Sequence, residues 1–425
     1  MLVYVLNKHG RPLMPCQPRK ARLLLKAGKA KVVKRTPFTI QLIYGSSGYV
    51  QPVSLGVDAG SKAIGLSVTT EKQVLFEAEV QLRTDIVDLL STLRDFRRAR
   101  RNRKTQYRQA RFLNRKKPDG WLAPSVENKI QAHLKAVRWV HQILPVSKAV
   151  VEVAQFDIQR IKDPDIQGKQ YQQGDQLGFW NVREYVLWRD DHTCQHCHGK
   201  SKDPRLNVHH IESRKIGGDA PSNLLALCET CHDLYHKGEI TLKVKRGNSF
   251  RDAAFMGIMR WMFYNRLKIQ YPNVGLTYGY LTKNTRIRSG LEKTHSVDAR
   301  CISGNPKALP GNSMYLIKQV RGQNRQLHKA TIRKGGLRQK SKAPKYVRGF
   351  KLFDKVFFAG RECFVFGRRS SGYFDLRLLD GTRVHAAASV KKLRLLERAK
   401  TLLVERRTGD FLPHLKKGDP SPNVS

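Results

Sequence analysis

The sequence predicts an α/β protein. Its body is a mixed sheet whose strands are scattered along the chain, with a small metal-binding domain inserted and a small β-barrel near the C-terminus. Three observations carry this. Apolar strand-like runs such as VSLGV, AIGLSVT and KAVVEV are separated by helix-patterned stretches. Two C-x2-C pairs, Cys194/Cys197 and Cys228/Cys231, frame one segment rich in histidine. After Arg348, short strands alternate with glycine turns.

With 425 residues the chain has room for two to four domains. It carries 80 Lys and Arg against 34 Asp and Glu, a formal net charge of +46. Repulsion on that scale calls for a polyanionic partner, because solubility alone needs far less. The charge is also segregated. The first acidic residue is Asp58, and none falls between Asp298 and Asp354, a span holding 14 Lys or Arg. A merely solvated face would mix both signs. No apolar run approaches membrane-spanning length, and the opening MLVYVLNKHG lacks a signal-peptide layout, so a membrane partner is not expected. Cysteines in metal-type pairs, without a disulfide framework, fit a reducing cytoplasm. Cys16, Cys301 and Cys363 stand alone and read as small core residues.

Residues 1–52 read as a small basic module. VYVLN is a strand, RPLMPC follows, a helix runs from Arg19 to Ala27 and stops at Gly28, and AKVVKR and FTIQLIY are strands. By composition this module says nucleic acid and no more. The mixed sheet opens in residues 53–82. VSLGV is a buried strand with Asp58 at its end, Gly60 permits a tight turn, and AIGLSVT and KQVLFEAEVQL are the next two strands.

Residues 83–117 carry a basic helix. Arg94, Arg97, Arg101, Lys104, Arg108, Arg111 and Arg115 alternate spacings of three and four, which lines them up on one face. Pro118 ends the helix. From Arg94 to Lys117 it would span roughly 36 Å, enough to follow a nucleic-acid backbone for about one turn. In residues 118–178, positions 125–144 form an amphipathic helix with Val126, Ile130, Leu134, Val137 and Val140 on one face. KAVVEVAQFD is then a buried strand carrying Glu152.

The insert covers residues 179–246. Each C-x2-C turn faces two thiolates toward one point, and two such turns make a tetrahedral Zn²⁺ site from Cys194, Cys197, Cys228 and Cys231. Between and beyond the pairs, LNVHHI reads as a short strand with His209 and His210, and RKIGGDAPS as a loop. NLLALCETCHDLYH reads as a helix with Asn223 near its start and His232 and His236 on one face.

Residues 247–304 return to the sheet. FRDAAFMGIMRWMFYNRL is a helix, VGLTYGYLTKNTRIRSG a strand and turn, and LEKTHSVDARCIS a helix with His295 and Asp298 on one face. Asp58, Glu152 and Asp298, joined by His295, form a constellation from separated elements. Converging carboxylates are what Mg²⁺ ions need for phosphodiester hydrolysis. Residues 305–345 are basic and acid-free, 346–406 form the expected barrel, and 407–425 read as a flexible tail.

The ordered histidines and Asn223 inside a four-cysteine frame resemble the HNH nuclease family, the ββα-metal fold. That resemblance implies His210 as the general base activating water, His209 and His232 as ligands of a Mg²⁺-type ion, and Asn223 as the residue orienting the loop that carries His210. His236 stands as a further candidate ligand. The split carboxylate set resembles the RuvC nuclease, an RNase H-like fold. The order of all parts is similar to the IscB family of transposon-encoded, RNA-guided DNA endonucleases, related to the type II CRISPR effectors. RPLMP, GVDAGSK, the Arg-rich bridge helix, VEVAQFD, the HNH set and HSVDA all match. This implies a monomeric protein in a ribonucleoprotein, with a structured guide RNA and double-stranded target DNA as partners. The HNH site would cut the guide-paired strand and the RuvC site the displaced one. Residues 305–345 would contact the RNA, and 346–406 would read the target-adjacent motif. Two alternatives stay open. A homing-like HNH endonuclease would cut without RNA, and a non-catalytic RNA-binding scaffold would bind without cutting.

Overall fold

The structure, a computed structural model, describes residues 2–46, 48–102, 120–153, 181–213, 219–244, 251–322, 331–332, 338–339 and 344–408. In the N-terminal module, β1 (Val3–Leu6) and β2 (Pro12–Cys16) form a hairpin, α1 (Pro18–Lys26) follows, and β3 (Ala30–Lys34) and β4 (Thr39–Leu42) complete a sheet ordered β2-β1-β4-β3. Proline at the start of α1 suits a position whose N–H has no partner in the helix. Gly28 takes φ +67° to end it. Val3, Val5, Ala21, Ala30, Ile40 and Leu42 are the core of this module.

The chain continues through β5 (Ser54–Ala59), β6 (Ala63–Thr69), β7 (Val74–Gln81), α2 (Ile86–Asn102), α3 (Pro124–His141) and β8 (Lys148–Val153). Val126, Ile130, Leu134, Val137 and Val140 are buried, as the pattern along α3 predicts. Burying a side chain such as Ile130 contributes about 2 kcal/mol. The basic helix is seen as α2, which carries Arg94 and Arg97. The side chain of Arg101, together with Lys104, Arg108, Arg111 and Arg115, lies outside the described residues.

Next come α4 (Val182–Arg189), β9 (Leu206–His210), β10 (Leu224–Cys228) and α5 (Glu229–Lys237). They belong to a compact unit, Gln155–Ile258, distinct from the rest of the chain. Here one expectation is corrected. The helix expected from Asn223 onward begins only at Glu229. Asn223 sits in a single 3-10 turn, and LLALC is a strand paired antiparallel with β9. Its residues are buried throughout, so pairing with LNVHH decides a run whose periodicity suited either state.

The chain then passes through α6 (Arg251–Gln270), β11 (Val274–Tyr278), α7 (Gly279–Arg288), α8 (His295–Ile302) and β12 (Ser313–Gln319). The turn expected after Tyr278 is instead α7. Gly279 reads as a turn residue, but it starts the helix against Glu152, where a Cβ would stand 3.3 Å from Oε1. A short pair, β13 (Thr331–Ile332) and β14 (Arg338–Gln339), precedes β15 (Lys355–Phe358), β16 (Arg361–Arg368), β17 (Tyr373–Arg377), β18 (Arg383–Ser389), β19 (Arg394–Glu397) and β20 (Leu402–Thr408).

Seven strands form the main sheet in the order β11-β8-β5-β6-β7-β12-β20. β5, β6 and β7 are an antiparallel meander, while β8 and β11 extend it in parallel on one side. On the other side β12 runs parallel to β7, and β20 closes the edge antiparallel. The C-terminal strands form a five-stranded antiparallel sheet ordered β18-β17-β16-β15-β19. Its ladder ends at β18 and β19, so among the described residues the pairing does not close into the expected barrel. Asp354, fully buried, braces this sheet by accepting from the backbone N–H groups of Lys351 and Ala399 and from Arg398.

Candidate functional site

Within the unit formed by Met1–Ala154 and Met259–Ser425, two glycines set the first site. A Cβ on Gly56 would collide with the Ala299 carbonyl, and one on Gly65 with the His295 carbonyl. Their bare backbones let α8 lie directly on β5 and β6. Thr294 caps α8 by accepting from Val297 N–H. Asp58 pairs with Gly65 in the ladder, one residue beyond the parallel pair Val57↔Val151 that sets Glu152 beside it.

The result joins the four predicted residues. His295 Nδ1 donates to Asp58 Oδ2 at 2.6 Å. Asp58 and Glu152 are 7% and 8% exposed, within a folded interior where charge needs a partner. Two arginines provide one. Arg260 Nη1 lies 3.0 Å from Glu152 Oε1 and its Nε donates to Ala59 O at 2.8 Å. Arg286 Nε lies 2.9 Å from Asp298 Oδ1, an ion pair without hydrogen-bond alignment.

The electrostatics follow. Burial pushes the Glu152 carboxyl up; Arg260 opposes this, while Asp58 and Asp298 add to it. Burial likewise raises Asp298, against Arg286 and with Asp58. The hydrogen bond to Asp58 raises His295. These mutual effects place three carboxylates in one field, where a divalent cation would relieve their repulsion. Hard oxygen donors of this kind fit Mg²⁺. Arg260 and Arg286 were not legible as site residues, since nothing in a chain with 80 Lys and Arg singles them out.

The second site lies in Gln155–Ile258. Asp190 at the end of α4 accepts from Ala226 N–H, and Arg189 donates to the Pro221 and Leu224 carbonyls, which fixes β10. Cys228 ends β10 and caps α5, its Sγ accepting from Cys231 N–H. Cys194, Cys197, Cys228 and Cys231 therefore converge, with sulfurs all within 4.8 Å of one another. Ser201 Oγ reaches Cys228 Sγ at 3.1 Å and Cys197 Sγ at 3.3 Å. Burial works to raise the Cys197 thiol, but hydrogen bonds from Ser201, Cys194 and Cys231 pull it to about 6. Burial and the neighbouring thiols push Cys231 up. Four crowded thiols with one poised to ionise fit a Zn²⁺ ion.

The histidines divide between two faces of β9. His209 is buried and meets His232 and His236 of α5, the ligand atoms lying within 4.8 Å of one another. His209 Nε2 is buried without a hydrogen-bond partner among the described residues. Burial first, and then His232 and His236, lower His209 to about 4, so its imidazole is neutral at pH 7 and its lone pair free. His236 joins this trio, as its spacing from His232 allowed. Three imidazole nitrogens suit a transition ion such as Zn²⁺, Ni²⁺ or Co²⁺, whereas Mg²⁺ takes oxygen. The expected Mg²⁺ ligation by His209 and His232 thus sits poorly with the donor set.

His210, on the opposite face, places Nε2 3.0 Å from Asp219 Oδ1. Asn223 is fully buried; it accepts from Glu212 N–H and donates to Glu212 O, both at 2.9 Å. It thereby pins the chain just after His210.

Residues 3–174 match the RRXRR protein family, and residues 194–238 match the HNH endonuclease family. Over 43 residues, 10% of the chain, it is 40% identical to Anaredoxin of Nostoc sp., and it spans 57% of that protein. Among solved structures it is similar to Streptococcus thermophilus Cas9 in complex with the GGAA PAM, at 16% identity and TM-score 0.33, over 50% of this chain and 30% of that one. Cas9 of the same organism with the AGAA PAM gives 13% identity and TM-score 0.32 over 60% and 32%. Among the described residues no helix is long and apolar enough to cross a membrane. With an RRXRR match followed on the same chain by an HNH endonuclease match, the protein is similar in its order of parts to the IscB-type nucleases.

Proposed function

We propose that the chain is an RNA-guided endonuclease that cuts both strands of double-stranded DNA. The observation that supports this reading is a carboxylate cluster around Asp58 and His295 and a separate histidine–cysteine cluster of different chemistry on one very basic chain. The strand order β11-β8-β5-β6-β7, with α8 bringing Asp298 to the end of β5, supports an RNase H-like reading of the large sheet. The C-terminal strands are then the part that reads the target-adjacent motif, and residues 305–345 contact the guide.

Asp58, Glu152 and Asp298 would hold Mg²⁺, which supplies Lewis-acid polarisation of the phosphate when bound. His295 holds a proton on Nδ1 beside Asp58 and is placed for acid–base transfer on the displaced strand. Arg260 and Arg286 oppose the rise that burial imposes on Glu152 and Asp298, favouring the ionised forms that would hold the ions. In the other site, His210 Nε2–H donated to Asp219 leaves Nδ1 to accept a proton from water, the pattern of an oriented general base. Asn223 holds the loop that carries it. His209, His232 and His236 would hold the metal that stabilises the cut phosphate, and the four cysteines the Zn²⁺ that keeps this small domain folded.

The test is cleavage of a labelled duplex by the purified ribonucleoprotein and by RNA-free protein. The reading expects cutting only with RNA. His210→Ala should leave a nickase for the displaced strand and Asp58→Ala one for the paired strand, each losing the other cut by about 10³-fold. Equal cutting of a defined sequence by RNA-free protein would establish the RNA-independent endonuclease instead.

A further inference from the structure

A cavity of about 650 Å³ lies between three parts of the large unit that are far apart in sequence. Lys34 at the end of β3, with Arg35 and Thr36 just after it, forms one wall. Lys135 and Trp139 line it from α3 and Ile143 from just beyond that helix, and the end of β19 with the connection to β20 closes it with Glu397, Lys400 and Thr401. Phe353 and Phe364 add apolar surface. The volume falls in the range of small-ligand sites, with the mix such sites share: apolar walls and a few convergent polar groups.

Its charge is not internally balanced. Arg35 and Lys355 are both paired with Glu362, and Arg398 is paired with Asp354. Lys34, Lys135 and Lys400 remain, against Glu397 as the sole lining carboxylate among the described residues. Among the described residues Lys135 Nζ bonds only the neutral Thr401 hydroxyl. Lys34 is half-buried, with Nζ 4.2 Å above the Trp139 ring and no ion pair among the described residues. Burial and the charge of Lys400 push it down to about 8, and Glu397 offsets this only in part. An ammonium held in that state is stabilised by an anion.

We propose that this cavity is a nucleoside-phosphate pocket that takes one unstacked nucleotide of the bound RNA. The lysines meet the phosphate, and the aromatic and apolar walls meet the base. Gln142 adds a neutral amide to the lining, while the buried Thr36 and Thr39 hydroxyls are engaged with Lys355 Nζ and the Pro37 carbonyl. The inference rests on the reading that the chain carries an RNA. A free mononucleotide has the same chemistry, and the experiment separates the two sources.

The ribonucleoprotein is assembled with RNA carrying 4-thiouridine, irradiated, digested and mapped by mass spectrometry. RNA-free protein is titrated in parallel with nucleoside monophosphates by calorimetry. The proposal expects a crosslink on the peptide holding Lys135 and Trp139. It expects that crosslink to vanish in Lys34→Gln/Lys400→Gln while other crosslinks persist, and to return in Lys34→Arg/Lys400→Arg. Monophosphate binding should weaken about tenfold or more in the Gln pair. Unchanged melting temperature and zinc content in the Gln pair would show that its fold is intact. RNA crosslinked elsewhere but never here overturns the pocket and leaves RNA guidance standing. Monophosphate binding that depends on the lysines, with no RNA crosslink, overturns the RNA source in favour of a free nucleotide. No RNA in the purified complex overturns the broader reading itself.

Discussion

His295 holds Asp58 across a gap of 2.6 Å because Gly65, directly under the His295 carbonyl, has no side chain. The pair is therefore built by a backbone-to-backbone approach, and its weak point is a residue with no chemistry of its own. Gly65→Ala should push α8 off β6, break the His295–Asp58 hydrogen bond and lower stability by about 1–3 kcal/mol, as overpacking does. The displaced-strand cut should fail while the paired-strand cut persists. Strand-specific labelling and a thermal melt read both effects; a Gly65→Ala protein with both cuts at full rate would refute the placement of the site.

The four sulfurs gathered within 4.8 Å make a matching prediction for the small unit. Structural Zn²⁺ contributes folding free energy directly, with apparent values of about 10 kcal/mol or more in small domains. Cys231→Ser, at a thiol pushed up by burial and its cysteine neighbours, should lower zinc content and remove proteolytic protection from Gln155–Ile258. The melt of the large sheet should be unchanged. Elemental analysis settles the first point: full zinc in each single cysteine mutant would mean that these residues hold no ion.

How much of this was legible in the sequence depends on how few residue types a role permits. Thiolate ligands must be cysteine, so Cys194, Cys197, Cys228 and Cys231 could be read from spacing, and the structure brings their sulfurs together. Asp58, Glu152 and Asp298 stood out because carboxylates flanking apolar strands are unusual where 34 acidic residues face 80 basic ones. The run LLAL after Asn223 misled because four apolar residues have no period, and only pairing with β9 made them a strand. Arg260 and Arg286 were hidden by abundance. Asp219 was hidden because its partnership with His210 depends on how the glycine-rich loop returns.

The trio of His209, His232 and His236 yields a prediction about metal choice. Its nitrogens should select a borderline transition ion over Mg²⁺. Titration of the zinc-loaded protein with Co²⁺ should give the visible absorption of a nitrogen-ligated site, insensitive to millimolar Mg²⁺. His236→Ala should weaken Co²⁺ binding, and His210→Ala should leave it intact, because His210 faces Asp219 on the other side of β9. Equal losses in the two variants would dissolve the distinction between ligand and base.

The last prediction concerns acid stability of the large unit. His133 of α3 is fully buried, its Nδ1 2.7 Å from the Lys129 carbonyl and its ring 5.2 Å from that of Phe263. Burial lowers its pKa from 6.5 to about 4; hydrogen bonds to the Lys129 and Gly60 backbones oppose this, while the charges of Arg260 and Lys129 add to it. The unfolded chain therefore binds a proton here between pH 6.5 and about 4 that the folded chain refuses. Stability is unaffected above that window, falls as the pH drops through it, and levels off below. The full loss is about 3 kcal/mol at 1.36 kcal/mol per pH unit. Carboxylates also titrate near the lower end, so the measurement is a difference. Melts of the wild type and of His133→Leu are compared at pH 7, 6, 5 and 4. The wild type should lose stability relative to the variant steadily below pH 6.5, whatever the variant's offset at pH 7. Parallel curves would mean that His133, on α3 against Phe263, protonates in the folded state and would refute the prediction.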